Sequence, residues 1–298
     1  MIRPTPLLLV GHGTVDATGV AEFVAFTERM RHRLATDGID VDGGFIELAR
    51  PTVHEAWARL AGRGHRRLAA VPMVLVGAGH AKGDIPAALH REVRRDPGSG
   101  YAFGRPLGPH PVLQELLAQR VAAALGPDPA EDVGVLLVGR GSTDPDANAE
   151  VCKVARLLQE GRPYAFVDTA FVSLAVPDVP AGLDRCAALG ARRIVVAPYF
   201  LFDGVLPRRV VQQARVFAAR HPGLDVRTAG YLGDTAELAG LVVERYREAL
   251  HGDIRMNCDT CAYRVLLPGF EDKLGAPQTP HHHPDDPSHG HGHAAAGG

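Results

Sequence analysis

A repeat constrains the fold of this chain more than any other feature. Leu8-Leu-Val-Gly-His-Gly-Thr14 recurs as Leu136-Leu-Val-Gly-Arg-Gly-Ser142, 128 residues later. Phe45-Ile-Glu-Leu-Ala-Arg-Pro-Thr-Val53 recurs as Phe171-Val-Ser-Leu-Ala-Val-Pro-Asp-Val179, 126 residues later, and Gly64-His-Arg-Arg-Leu-Ala-Ala-Val-Pro72 recurs as Gly190-Ala-Arg-Arg-Ile-Val-Val-Ala-Pro198 at the same offset. Leu107-Gly108 matches Leu232-Gly233 at 125. Matches in one order, with offsets that drift by a few residues, mean that a unit of domain size, about 125 residues, stands here twice. The units are read as 1–127 and 131–250, joined through Pro127-Asp-Pro-Ala130.

Within the first unit short apolar runs alternate with helical patterns. Leu7 to Val10 has the continuous aliphatic character of a strand covered on both faces, and Val20, Phe23, Thr27, Met30 and Leu34 then mark one side of a helix. A second strand is predicted over 41–49, and Val53, Ala56, Trp57 and Leu60 carry the i, i+3, i+4, i+7 spacing of a second helix. A third strand over 68–76 contains Pro72, which cannot donate to a ladder. The next helix is expected to open near Asp84 as its cap, with Pro86 in the first turn. A fourth strand over 101–105 and a helix over 112–125 complete a βαβαβαβα succession. The expected fold is therefore α/β, with two duplicated, doubly wound parallel-sheet domains around a central cleft.

Composition removes several classes of partner. Basic residues number 32 and acidic residues 34 among 298, so no global field favours nucleic acid or an anionic membrane. No apolar run reaches the roughly 18 residues of a membrane span, and the N-terminal aliphatics are too few for a signal peptide, so a cytoplasmic protein is expected. After Leu250 the character changes. The segment 251–274 holds Met256-Asn-Cys-Asp-Thr-Cys261, and the stretch 275–298, with six of the fifteen histidines between His281 and His293, is expected to be a disordered tail. The Cys258/Cys261 spacing suggests metal or redox chemistry, with ordinary surface thiols or a loose zinc site as alternatives. Cys152 and Cys186 align with Val24 and Leu60 on apolar helix faces and read as structural.

Two glycine-rich turns carry the candidate chemistry. Val10-Gly-His-Gly-Thr14 and Gly77-Ala-Gly-His-Ala-Lys-Gly-Asp84 each follow an apolar run and each present one histidine. Ligands of an open parallel sheet bind beyond the carboxyl ends of its strands, where strand order reverses. A strand order of 2-1-3-4 would bring His12, Glu47 and His80 together, a donor set suited to Co(II), Ni(II), Fe(II) or Zn(II) with positions left open. Taken singly, each histidine could be a polar turn residue. The repeat argues otherwise, because Arg140, Ser173 and Leu206 stand at the matching positions and the scaffold itself therefore requires none of the three. Asp16 replaces the third glycine of a dinucleotide loop, and no ATP-binding loop or Gly-x-Ser-x-Gly elbow is present.

In these motifs the chain resembles the class II chelatases of the sirohydrochlorin cobaltochelatase and ferrochelatase type. The resemblance rests on the strand ending in Gly11-His-Gly-Thr14, on Glu47-Leu-Ala-Arg-Pro-Thr52, and on His80-Ala-Lys-Gly-Asp-Ile-Pro86. It implies ATP-independent insertion of a divalent metal into sirohydrochlorin, with His12 and His80 as catalytic and metal-binding residues and Glu47 as the third ligand. Cobalt is favoured by the histidine-rich tail, Fe(II) or Ni(II) being the alternatives, and a metal carrier or sensor is the rival from another class. A carboxylate-rimmed ring would need basic contacts, for which Arg50, Lys82, Arg105 and Arg140 are the candidates. Long members of that family carry a Met-x-Cys-x-x-Cys segment associated with an iron–sulfur centre. Cys258 and Cys261 match it but supply only two ligands, which would call for a homodimer or another partner.

Overall fold

The structure is a computed structural model in which residues 3–252 are described. Cys258, Cys261 and the histidine-rich stretch therefore lie outside the described residues. The first half runs β1 (Leu7–Gly11), α1 (Ala17–Ala35), β2 (Val41–Phe45), α2 (Val53–Gly62), β3 (Arg67–Pro72), α3 (Ile85–Arg95), β4 (Gly100–Phe103) and α4 (Pro111–Leu125). The second repeats it as β5 (Val133–Gly139), α5 (Pro145–Gln159), β6 (Phe166–Phe171), α6 (Val179–Ala188), β7 (Arg193–Pro198), α7 (Val205–Arg220), β8 (Asp225–Thr228) and α8 (Ala236–His251). Each half forms one parallel sheet, in the orders β2-β1-β3-β4 and β6-β5-β7-β8. Strand order reverses beside β1 and β5, which places a crevice at their carboxyl ends.

The local sequence explains the elements. All five residues of β1 are buried because helices cover both of its faces. The carboxylate of Asp16 accepts the N–H groups of Thr18 and Gly19 and starts α1, and Thr52 with Glu55 forms a reciprocal capping box at α2. Side chains alternate across β1. Leu7 and Leu9 enter a core shared by both halves, while Leu8 and Val10 face an outer layer built on α2 and α3.

The shared core contains the apolar faces of α1, α4, α5 and α8, packed between the two sheets. The last helix of each half crosses over: α8 packs against β3 and β4, and α4 packs against β7 and β8. Arg245 of α8 is fully buried and fastens this exchange, donating from Nε to the Pro106 carbonyl at 3.1 Å and from Nη2 to the Leu107 carbonyl at 3.0 Å. Each sheet is thus completed by a helix from the other half.

Several sequence expectations need adjusting. The regular strand over 41–49 ends at Phe45, since the chain doubles back and the Phe45 N–H donates to the Pro51 carbonyl. The third strand stops at Pro72, which has no N–H to give the ladder, and one more bond follows it, from the Met73 N–H to the Val10 carbonyl at 2.8 Å. The helix α3 does open after Asp84 with Pro86 in its first turn, but the Asp84 side chain makes no capping hydrogen bond: a π-helical turn, His80–Asp84, precedes α3, and the carboxylate is used elsewhere. Cys186 is buried, whereas Cys152 is exposed, with its Sγ 3.7 Å from Thr169 Oγ1, so its side of α5 is not an apolar face.

Candidate metal centre

His12 follows the last residue of β1, and Glu47 is brought beside it by backbone pairing that outlasts the regular strands. The Ile46 N–H donates to the Gly11 carbonyl and the Glu47 N–H to the His12 carbonyl, at 3.0 and 3.1 Å. His80 arrives from the opposite neighbour, on the π-helical turn beyond β3. The three side chains converge. His12 Nε2 lies 2.8 Å from His80 Nε2 and 3.0 Å from Glu47 Oε1, and one donor atom from each residue falls within a 4.8 Å cluster. Two ligands at right angles around an ion with bonds of about 2.1 Å stand about 3 Å apart, so these separations suit adjacent positions of one coordination sphere.

Each imidazole is oriented through its other nitrogen. His12 Nδ1 is 3.1 Å from the Gly13 carbonyl oxygen, and His80 Nδ1 is 2.6 Å from Asp84 Oδ2. Donation of the Nδ1 proton in both leaves the Nε2 lone pairs for an ion, and a carboxylate behind a ligating histidine fixes its ring and raises its basicity. Asp84 is 6% exposed and is absent from the sequence-based site. Its i, i+4 relation to His80 was the available signal.

The triad opens on a cleft of about 800 Å³ between the halves. Its walls are largely apolar, with Phe23, Phe45, Leu48, Met73 and Leu75 from the first half and Leu174, Phe200, Phe202, Val205 and Leu206 from the second. Small residues, among them Gly11, Ala78, Gly79 and Gly139, keep its floor open.

The CbiX family model matches residues 6–124 and 134–249, covering both halves. The chain belongs to the CbiX family. Among relatives, a sirohydrochlorin cobaltochelatase of Priestia megaterium is 37% identical over 262 residues, spanning 87% of this chain and 84% of that protein. A sirohydrochlorin ferrochelatase of the same organism is 32% identical, over 70% of this chain and 77% of its own length. Among solved structures, SirB from Bacillus subtilis with Fe3+ superposes with a TM-score of 0.72 at 28% identity, covering 84% of this chain and 97% of that one. The sirohydrochlorin chelatase SirB of Bacillus subtilis subspecies spizizenii in complex with cobalt gives 0.67 at 25% identity, covering 83% and 96%.

In this CbiX-family chain the four basic candidates separate clearly. Arg140 lines the cleft at the position matching His12, close enough to Glu47 and His12 to act on both electrostatically. Arg140 is exposed, yet protein surrounds enough of it for desolvation to lower its pKa, opposed by Glu47. The other three point elsewhere. Arg50 is exposed and pairs with Glu55; Arg105 pairs with Glu248 of α8 at 2.7 Å. Lys82 turns away from the cleft into the second half, its Nζ 2.8 Å from Asp144 Oδ2 and 2.9 Å from Asp146 Oδ2. None of these three lines the cleft, and each is engaged in an ion pair within the protein. Behind the same loop Glu150, its pKa raised by burial, accepts the Gly77 N–H at 2.9 Å. The loop that carries His80 is therefore held by carboxylates of α5 and its cap.

Burial, with His80 next in weight, pushes the His12 imidazole down to about 4. His12 is then neutral at pH 7, the form that binds metal. In the unfolded chain it titrates near 6.5, so between about 6.5 and 4 the unfolded state holds more protons. This contribution is complete above pH 6.5 and is lost as pH falls toward 4. Metal-free His12→Gln protein should accordingly lose less stability than wild type between pH 7 and pH 4.5, measured by urea unfolding at each pH.

Proposed function

We propose that this protein inserts Co(II) into sirohydrochlorin without ATP, as a cobaltochelatase. The observation that carries the reading is the convergence of His12, Glu47 and His80 at an apolar cleft large enough for a flat tetrapyrrole. Sirohydrochlorin is a ring rimmed by carboxylates, whose apolar faces suit the walls and whose rim suits Arg140. Metallation exchanges two pyrrole N–H protons for one divalent ion. The triad holds the ion on one side and leaves the remaining positions for ring nitrogens, as a two-histidine, one-carboxylate set allows.

As ring nitrogens replace the protein ligands, a freed imidazole Nε2 becomes a base that accepts one pyrrole proton, releases it to solvent in the open cleft and then accepts the second. His80 is assigned this second role, its imidazolium being stabilised by Asp84 at 2.6 Å. His12 holds the ion with Glu47. Metal and ring are both substrates, and nothing in the step requires redox change or nucleotide.

The preference for cobalt is supported by the 37% identical cobaltochelatase and by the histidine-rich stretch 281–293, which would gather Co(II) near the cleft by tethering. The 32% identical ferrochelatase supports iron as the second reading. Anaerobic metallation of sirohydrochlorin with equal Co(II) or Fe(II), followed by macrocycle absorption, separates them. The proposal expects kcat/KM at least about tenfold higher with cobalt, about 1.4 kcal/mol of discrimination, and a higher value with iron would overturn it. Deleting 275–298 should leave turnover unchanged at saturating Co(II) and lower it only when the metal is scarce.

A further inference from the structure

The two halves differ at all three positions of the triad yet keep, in the reversal that ends the second strand of each, one exposed residue with a strained backbone. Leu48 and Leu174 occupy equivalent places in the repeat, immediately after Glu47 and its counterpart Ser173, and both have positive φ, +62° and +60°. In each, the following N–H returns to the preceding carbonyl, Ala49 to Glu47 at 2.8 Å and Ala175 to Ser173 at 2.7 Å. Each leucine is thus the centre of the strained form of the γ-turn, a conformation that a branched L residue disfavours.

Burial does not explain the choice of residue. Leu48 is 56% and Leu174 is 61% exposed, and both line the cleft, one from each half. The turn beneath them is the same in both halves and equally tight. A Cβ on Gly13 would lie 1.8 Å from the Glu47 carbonyl oxygen, and one on Gly141 would lie 1.8 Å from that of Ser173. An exposed, strained leucine costs stability in each half and is retained in both, while His12, Glu47 and His80 have become Arg140, Ser173 and Leu206. What both halves keep should serve what both halves touch, and strain maintained beside a site is a mark of function.

We propose that Leu48 and Leu174 are substrate-binding residues that contact the tetrapyrrole ring, one from each half, and set the affinity for it without contributing to metal affinity. This rests on the cleft being the site of a tetrapyrrole. The strained turns hold the two apolar side chains clear of the protein surface, where they reach the ring rather than each other's core.

The test uses the full chain with Leu48→Ala, Leu174→Ala, the double variant, and Leu48→Gly with Leu174→Gly. Ring binding without metal is followed by absorption with sirohydrochlorin and, separately, with uroporphyrin, a second flat carboxylated tetrapyrrole. Co(II) binding and melting temperature are measured on the same samples. Each single alanine is expected to weaken ring binding about tenfold, the worth of one buried aliphatic side chain, and the double variant more. Co(II) affinity and melting temperature should be unchanged in the alanine variants, and glycine, which accepts positive φ, should leave the melting temperature unchanged or raise it. Unaltered ring binding in the double variant would overturn the proposal, as would a melting temperature that falls in alanine and glycine variants alike, the mark of a structural role. Wild-type protein that binds uroporphyrin but not sirohydrochlorin would refute the proposed substrate while the leucines are still tested; binding of neither ring would refute both.

Discussion

Replacing His80 by alanine is expected to abolish metallation, with kcat falling by about a thousandfold or more, and His12→Ala should do the same. Both changes remove a proposed ligand, and His80→Ala also removes the proposed base for the pyrrole protons, a role worth about 10²–10⁴ by itself. Stability should change little, because both side chains are 23% exposed and stand at a cleft wall rather than in a core. Glu47→Gln keeps the shape and removes the charge, so metal binding should weaken while the fold stays intact. Asp84→Asn acts through His80 alone. A lost carboxylate behind a ligating histidine costs about 10–100-fold in metal affinity or activity. Initial rates with Co(II) and sirohydrochlorin, beside melting curves of the same samples, give this ranking. Full activity in either histidine variant would remove the triad from the reaction.

Lys82→Met is expected to have the largest effect on stability of any change near the site. Its ammonium lies between two carboxylates that are themselves almost buried, Asp144 at 5% and Asp146 at 4% side-chain exposure. Removing one partner of a buried ionic cluster costs about 3–5 kcal/mol, since the charges left behind stay desolvated, and that is a large share of the about 5–15 kcal/mol that holds a domain folded. The pair joins the halves, and Lys82 shares its turn with His80, so Co(II) affinity should fall with stability. The double variant Lys82→Met, Asp146→Asn should recover part of both. Urea unfolding and Co(II) titration of the single and double variants provide the check, and a Lys82→Met protein as stable as wild type would show that the clasp is not needed.

The fold was legible because it is written twice. Two aligned copies of a strand–turn–helix grammar led to the parallel sheets, and the strand order 2-1-3-4 that would gather the three residues of the first half is the order observed, repeated in the second. The three residues expected to meet do lie together, because strand order and end-of-strand position suffice to locate His12, Glu47 and His80 without knowledge of side-chain packing. What the sequence could not convey was which charges pair in the fold. A basic residue at a strand end looks the same whether or not a carboxylate stands beside it, as Asp144 does beside Lys82 and Glu248 beside Arg105 from the other half, and Glu55 beside Arg50 from the same one. Nor does periodicity tell that α4 and α8 are exchanged, because an amphipathic helix carries no label for the sheet it covers. Aspartate before Ile-Pro fits the helix start that the structure has at Asp84, but only the extra π turn shows that its carboxylate faces His80 instead of capping.

The most direct measurement is the initial rate at which purified protein metallates sirohydrochlorin with Co(II), set against the spontaneous rate and against the His12→Ala and His80→Ala variants under the same conditions. The account predicts a rate far above the spontaneous one for wild type and a return to the spontaneous rate in both variants. No acceleration by wild type with Co(II), Fe(II) or Ni(II), or acceleration that survives loss of both histidines, would contradict it.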